Sequence, residues 1–172
     1  GCIPTLQQQP GMPTDISSFE AAAALLDLGD LEALHKLLKQ QPDLARARDD
    51  GNATLLIRLI DWPGHRPNAA ESARVLLSAG AEVDARRNEE NGTALGGVVC
   101  TEEIDVIRTL LEFGAEVHGS CGWQPGSVLE YVDLLCEDLD RSEDQKRSAI
   151  SKLFGDAAGR SVPKRTMMGK SV

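Results

Sequence analysis

Aromatic side chains are scarce, at 3% of the 172 residues. The interior must therefore be built from Leu, Ala, Val and Ile, which favours closely stacked helices over a barrel or sandwich, where aromatics fill the inner faces of strands. No apolar run approaches the roughly 20 residues of a membrane helix, and no secretory signal is visible. The three histidines (His35, His65, His118) and four cysteines (Cys2, Cys100, Cys121, Cys136) form neither a zinc spacing nor a C-x-x-C pair. Glycine-rich phosphate loops, H-E-x-x-H and G-x-S-x-G are all missing. The expectation is no metal, no cofactor and no recognisable catalytic arrangement.

Acid is also missing from one place: Ala157–Val172 has none, but carries Arg160, Lys164, Arg165 and Lys170. The 18 basic residues less those four, against all 27 acids, leave the rest of the chain near −13. Such a body repels a phosphate backbone and an anionic membrane, and favours basic partners if charge selects any. Scattered thiols in a chain this long fit a reducing, cytoplasmic setting; the competing reading is a disulfide, with Cys121 and Cys136 the most plausible pair. Gly1-Cys2 fits a tag scar or a processed lipoprotein start, and Met12 could be the natural start. Residues 1–14, with no charge and no apolar period, are expected to be disordered. A folded domain over 15–156 and a basic flexible tail over 157–172 complete the division.

Between the tails the apolar spacing is helical. Leu31, Leu34, Leu37 and Leu38 fall on one stripe. Gly29-Asp30 interrupts the pattern, and Asp30 is a good N-cap, so two short helices are predicted in place of one long one. The layout recurs in Ala70–Ala85 and Glu103–Gly119. In each, a leucine pair (Leu76-Leu77, Leu110-Leu111) is followed by Gly-Ala-Glu-Val, with Gly80 and Gly114 placed as left-handed C-caps and an extended stretch expected from the Val. The pairs lie 34 residues apart, from 76 to 110. Similarity at that period implies stacked units that cannot bury an apolar face alone. The wider step back to Leu37-Leu38 is explained by an insertion, Asp61–Ala70.

These segments resemble the ankyrin repeat, whose consensus runs D-x-x-G-x-T-P-L-H-x-A-A, G-x-x-E-V-V-x-L-L-L, G-A-x-x-N-A. Asn91–Val99 and Asp105–Val117 carry the match best, with Thr93 on the motif threonine and Asp105 on the motif glutamate. Glu71–Ala85 also matches well. Gly51–Leu56 matches loosely, with Ala53 in the threonine place and Arg58 where a small Ala allows close stacking. No unit keeps the full T-P-L-H, and Gly96-Gly97 replaces His-x, read as permitting close packing. A first unit (Glu20 in the threonine register, then Gly29–Leu38) and a fourth (from Ser127, with its second helix at Glu143–Phe154) diverge, as capping repeats do. The resemblance spans about residues 17–155. It implies an all-α solenoid of about four helix-turn-helix units, a right-handed stack with hairpin loops along one edge.

It implies too a monomeric protein-binding module that uses those loops and the concave face. The candidate binding residues are Asp49, Asp50 and Asn52 in the first finger, Trp62, His65 and Arg66 in the insertion, Arg86, Arg87, Asn88, Glu89 and Glu90 in the second finger, and Trp123 in the third. Against this stands plain solvation of polar turns; a loop Trp can equally fold back over a repeat end. The acidic run Glu130–Asp144 lacks the glycine and alternating ligands of a calcium loop and reads as a solvated cap. A second reading is an acidic, immunity-like protein that shields a basic partner. An enzyme built on His65 would need a nucleophile in an identifiable relation to it, and none stands out.

Overall fold

The structure is a computed structural model that describes residues 16–137 and 145–159. The expected disordered start, most of the basic tail and the second half of the acidic run lie outside them. The described residues form eight α-helices: α1 (Ile16–Leu28), α2 (Leu31–Gln40), α3 (Leu55–Ile60), α4 (Ala69–Ser78), α5 (Ala94–Thr101), α6 (Ile104–Glu112), α7 (Val128–Glu137) and α8 (Gln145–Ala157). Extended pairing among them is limited to two isolated bridges, Arg48 with Thr54 and Ser120 with Ser127.

Packing follows chain order. Helices associate as α1 with α2, α3 with α4, α5 with α6 and α7 with α8. The odd-numbered helices also touch in sequence, as do the even-numbered ones, giving two adjacent rows. Their shared interior is aliphatic, as the shortage of aromatics requires: Leu26, Leu34, Leu56, Leu76, Leu95, Ile107 and Leu110 are fully buried. Of the four leucines expected in the core, Leu76, Leu77 and Leu110 are buried, whereas Leu111 is half-buried at its edge.

The helix ends obey local chemistry. Asp30 caps α2 by accepting from the Ala33 amide at 3.0 Å. Gly80 and Gly114 have φ of +103° and +82°. Each closes its helix with a paired return: Ala81 N–H to Leu76 O and Gly80 N–H to Leu77 O, then Ala115 N–H to Leu110 O and Gly114 N–H to Leu111 O, all near 3 Å. The extended stretches expected from sequence at Val83 and Val117 do not form; both residues lie in turns, closed by Ala85 N–H to Glu82 O and Gly119 N–H to Glu116 O.

One register needs correction. Thr54, not Ala53, opens the second helix pair: its hydroxyl accepts from the Ile57 amide at 3.3 Å and caps α3, as Thr93 stands at the cap of α5. Thr54, Thr93 and Ser127 are equally spaced after Leu37, Leu76 and Leu110. Ser127 forms a capping box with Glu130: its amide donates to the Glu130 carboxylate at 2.7 Å while its hydroxyl accepts from the Glu130 amide at 3.2 Å. The shift moves Arg58 off the small-residue position. It faces outward and pairs with Asp49 (3.1 Å) and Glu20 (3.6 Å).

Candidate interaction site

Three loops, or fingers, precede α3, α5 and α7 and are tied to one another. In the first finger, Asp49 accepts from the Ala53 amide at 2.9 Å and from Arg58 at 3.1 Å. Burial is the largest influence on its carboxyl and acts to raise its pKa, but those bonds outweigh it and hold the group below the ordinary carboxylate range. Arg48 donates to the carbonyls of Asn52 and Arg86, both at 2.8 Å, and the Asn52 amide donates to Arg87 O. In the second finger, Asn88 accepts from the amides of Glu90 and Asn91 at 3.0 Å, and Arg86 donates to Glu89 O at 3.2 Å. The third finger meets the second so closely that a Cβ at Gly92 would collide with the Cys121 carbonyl.

The insertion is equally fixed. Its loop runs from residue 61 to 68, because Ala69 and Ala70 already belong to α4. Arg66, its side chain 17% exposed, donates to Leu59 O (2.9 Å) and Asp61 O (2.8 Å) and pairs with Asp27 (2.7 Å). Asn68 donates to Gly29 O at 2.9 Å. The His65 amide donates to Glu103 at 2.8 Å. The loop therefore spans from the α1–α2 turn to the α5–α6 turn.

Arg87 joins the fingers to this loop, through a 2.6 Å ion pair with Asp61. Between them lies a groove of about 210 Å³. Ile57, Ile60, Gly97, the Arg87–Asp61 pair and Trp123 are among the residues that line it. The Trp123 ring is 56% exposed and is set edge-on to Tyr131, with centroids 4.6 Å apart. Thr93 lines the groove as well, and its buried hydroxyl makes no hydrogen bond among the described residues.

Neighbouring thiols are quenched. Burial, then the proximity of Cys100, pushes Cys121 up to about 11. Burial likewise raises Cys100, against hydrogen bonds with Trp123 and Tyr131. Tyr131 is pushed to about 12, by burial first and Cys100 next. Such groups stay neutral near pH 7, and a neutral thiol is a poor nucleophile. Cys136 lies elsewhere, against α8, with its thiol 3.9 Å from Arg147 O. Cys121 and Cys136 are both free, so the pairing considered from sequence is not formed. Among the described residues no group of three or more His, Cys, Asp and Glu could hold a metal ion.

The sequence-predicted residues thus fall into two sets. Asp49, Asn52, Arg66, Arg86, Arg87 and Asn88 are each tied to the scaffold by at least one hydrogen bond or ion pair. Asp50, Glu89 and Glu90 remain exposed, and no side-chain ion pair holds them among the described residues; Trp62 is 87% exposed, and His65 is exposed beside it. Arg87 and Trp123 meet at one groove. Sequence reasoning missed Asp61, Ile57 and Ile60 there, although Asp61 opens the recognised insertion. It also read Gly97 as packing only; Gly96 does face the Cys121 backbone, but Gly97 lines the groove.

The row of even-numbered helices has relief of its own. A larger apolar groove of about 440 Å³ lies between α2 and α4, lined by Leu38, Pro42, Val75 and Ala79 among others. Arg74 nearby pairs with Glu112 at 2.5 Å and sits over Phe113.

No family model matches the chain, and no solved structure does. A probable E3 ubiquitin-protein ligase, XBOS32 of Oryza sativa subsp. japonica, is 31% identical over 106 residues. That stretch covers 62% of this chain and 20% of the other, so the chain spans about a fifth of the length of this relative. No described helix is long and apolar enough to cross a membrane.

Proposed function

We propose that the chain is an ankyrin-type repeat module that binds a partner protein, without catalysing a reaction, through its fingers and the adjoining face of the odd-numbered helices. The observation that carries this reading is the groove bounded by Arg87, Asp61 and Trp123. It joins finger and insertion residues on one hydrogen-bonded scaffold, which lowers the ordering cost of association. The quenched thiols favour binding over chemistry at that place. The two rows of helices and the 34-residue recurrence support the repeat reading, and similarity to a fifth of a probable ubiquitin ligase fits a partner-holding segment.

The exposed Asp50, Glu89 and Glu90 favour a second reading, an acidic protein that shields a basic partner. Both are tested by affinity capture from the native host with the full chain as bait, followed by variants. Replacing Asp50, Glu89 and Glu90 together by Ser should slow association and flatten its salt dependence, while Trp62→Ala should speed dissociation. If both folded variants bind as the parent does and Val75→Glu in the α2–α4 groove abolishes capture, the finger-face reading fails. A partner without basic character would remove the shielding reading alone.

A further inference from the structure

We infer that the finger groove is a receptor for one large apolar side chain, carried on a partner segment whose neighbouring residues are basic; this rests on the partner-binding reading above. Size sets the first limit. At about 210 Å³ the groove is smaller than the roughly 300–1,000 Å³ typical of small-molecule and cofactor sites, so its natural load is a single side chain. Its apolar surface comes from the partly exposed Ile60 and from Trp123, with the buried Ile57 also in its lining. A Cβ at Gly97 would fall 2.8 Å from Ile60 Cδ1, so a side chain at position 97 would force Ile60 to shift and change the groove it lines. Trp123 lines the groove too, with its ring edge-on to Tyr131.

Charge selects what surrounds the anchor. The Arg87–Asp61 pair is internally neutralised and attracts neither sign strongly. Glu89 and Glu90 lie between the groove residues Arg87 and Asn91, and Asp50 lies on the finger tied to them; all three are exposed, with no cation held against their side chains among the described residues. Lysine or arginine flanking the apolar residue is complementary to this rim.

The test uses a random dodecapeptide library displayed on phage, panned on the immobilised full chain, with selected peptides then measured in solution. Enriched peptides should share one large apolar residue beside Lys or Arg. Gly97→Ala should weaken them at least tenfold, while the melting midpoint stays level or rises, because Ala favours the helix over Gly and Ile60 can swing into the groove. Glu89→Lys with Glu90→Lys should also weaken binding and remove its salt dependence. A selection that yields no shared pattern, or an acidic one, overturns the inference. If Gly97→Ala binds as the parent does but Trp62→Ala does not, the groove inference falls and partner binding at this face stands. If only Val75→Glu in the α2–α4 groove matters, both fall.

Discussion

Thr93 shows what a single atom can cost. Its hydroxyl is buried at the start of α5 and makes no hydrogen bond among the described residues. A buried hydroxyl without a partner is destabilising by about 1–3 kcal/mol, and Val has the same shape without it. Thr93→Val should therefore leave the fold unchanged or raise its stability by up to about 1–3 kcal/mol; a marked fall in the melting midpoint would mean the hydroxyl has a partner. Asp49 behaves oppositely. Its folded pKa lies below the unfolded value near 3.8, so its contribution is present above that value and is lost as pH falls through the lower folded one. The acid limb of a stability–pH profile should be shallower in Asp49→Asn than in the parent. Cys121 works at the other end. Its pKa rises from 9.0 to about 11, so the stability tied to its neutral thiol is present below pH 9 and is lost as pH climbs towards 11. Cys121→Ser should flatten the alkaline limb.

At the scale of elements, much was legible because local chemistry is explicit. Asp30, Gly80 and Gly114 announce helix ends through residue types with one preferred role, and the observed caps agree. The turns at Val83 and Val117 were not legible, because Glu-Val-Asp-Ala and its counterpart are closed by contacts with the neighbouring helix pair: Asp84 accepts from the Glu116 amide at 2.9 Å. Tertiary contact decided what propensity left open. The Ala53 misplacement has a simpler source. Ala53-Thr54 and Thr93-Ala94 both pair a threonine with an alanine; the common spacing after Leu37 and Leu76 and the cap bond from Ile57 together pick out Thr54. The insertion was visible as excess length, but its rigidity was not. Arg66 supplies it by satisfying two carbonyls that would otherwise lack those bonds. Arg66→Ala should lower stability by about 1–3 kcal/mol and expose residues 61–67 to limited proteolysis; equal protease resistance would contradict the anchoring role.

At the scale of the whole molecule, stability rests on contacts between successive helix pairs, so a core defect is felt beyond its own helix. Leu110, fully buried in α6, packs in the row between α4 and α8. Leu110→Ala should cost about 2–5 kcal/mol by lost burial and the cavity left behind; an unchanged denaturation midpoint would place Leu110 outside the core. The site was only half legible at this scale. Residue type pointed to the finger tips and to both tryptophans, but which polar side chains hold the scaffold and which stay exposed depends on contacts between units. Arg87 with Asp61, and Arg48 with Arg86, are distant in sequence and unremarkable alone. The central claim, that a partner protein is held on the finger side of the odd-numbered helices, is tested most directly by amide hydrogen exchange of the full chain with and without its captured partner. Protection should appear over residues 48–62, 86–97 and 120–124, with α2 and α4 unchanged. Protection confined to α2 and α4, around the groove of Leu38 and Val75, would contradict it.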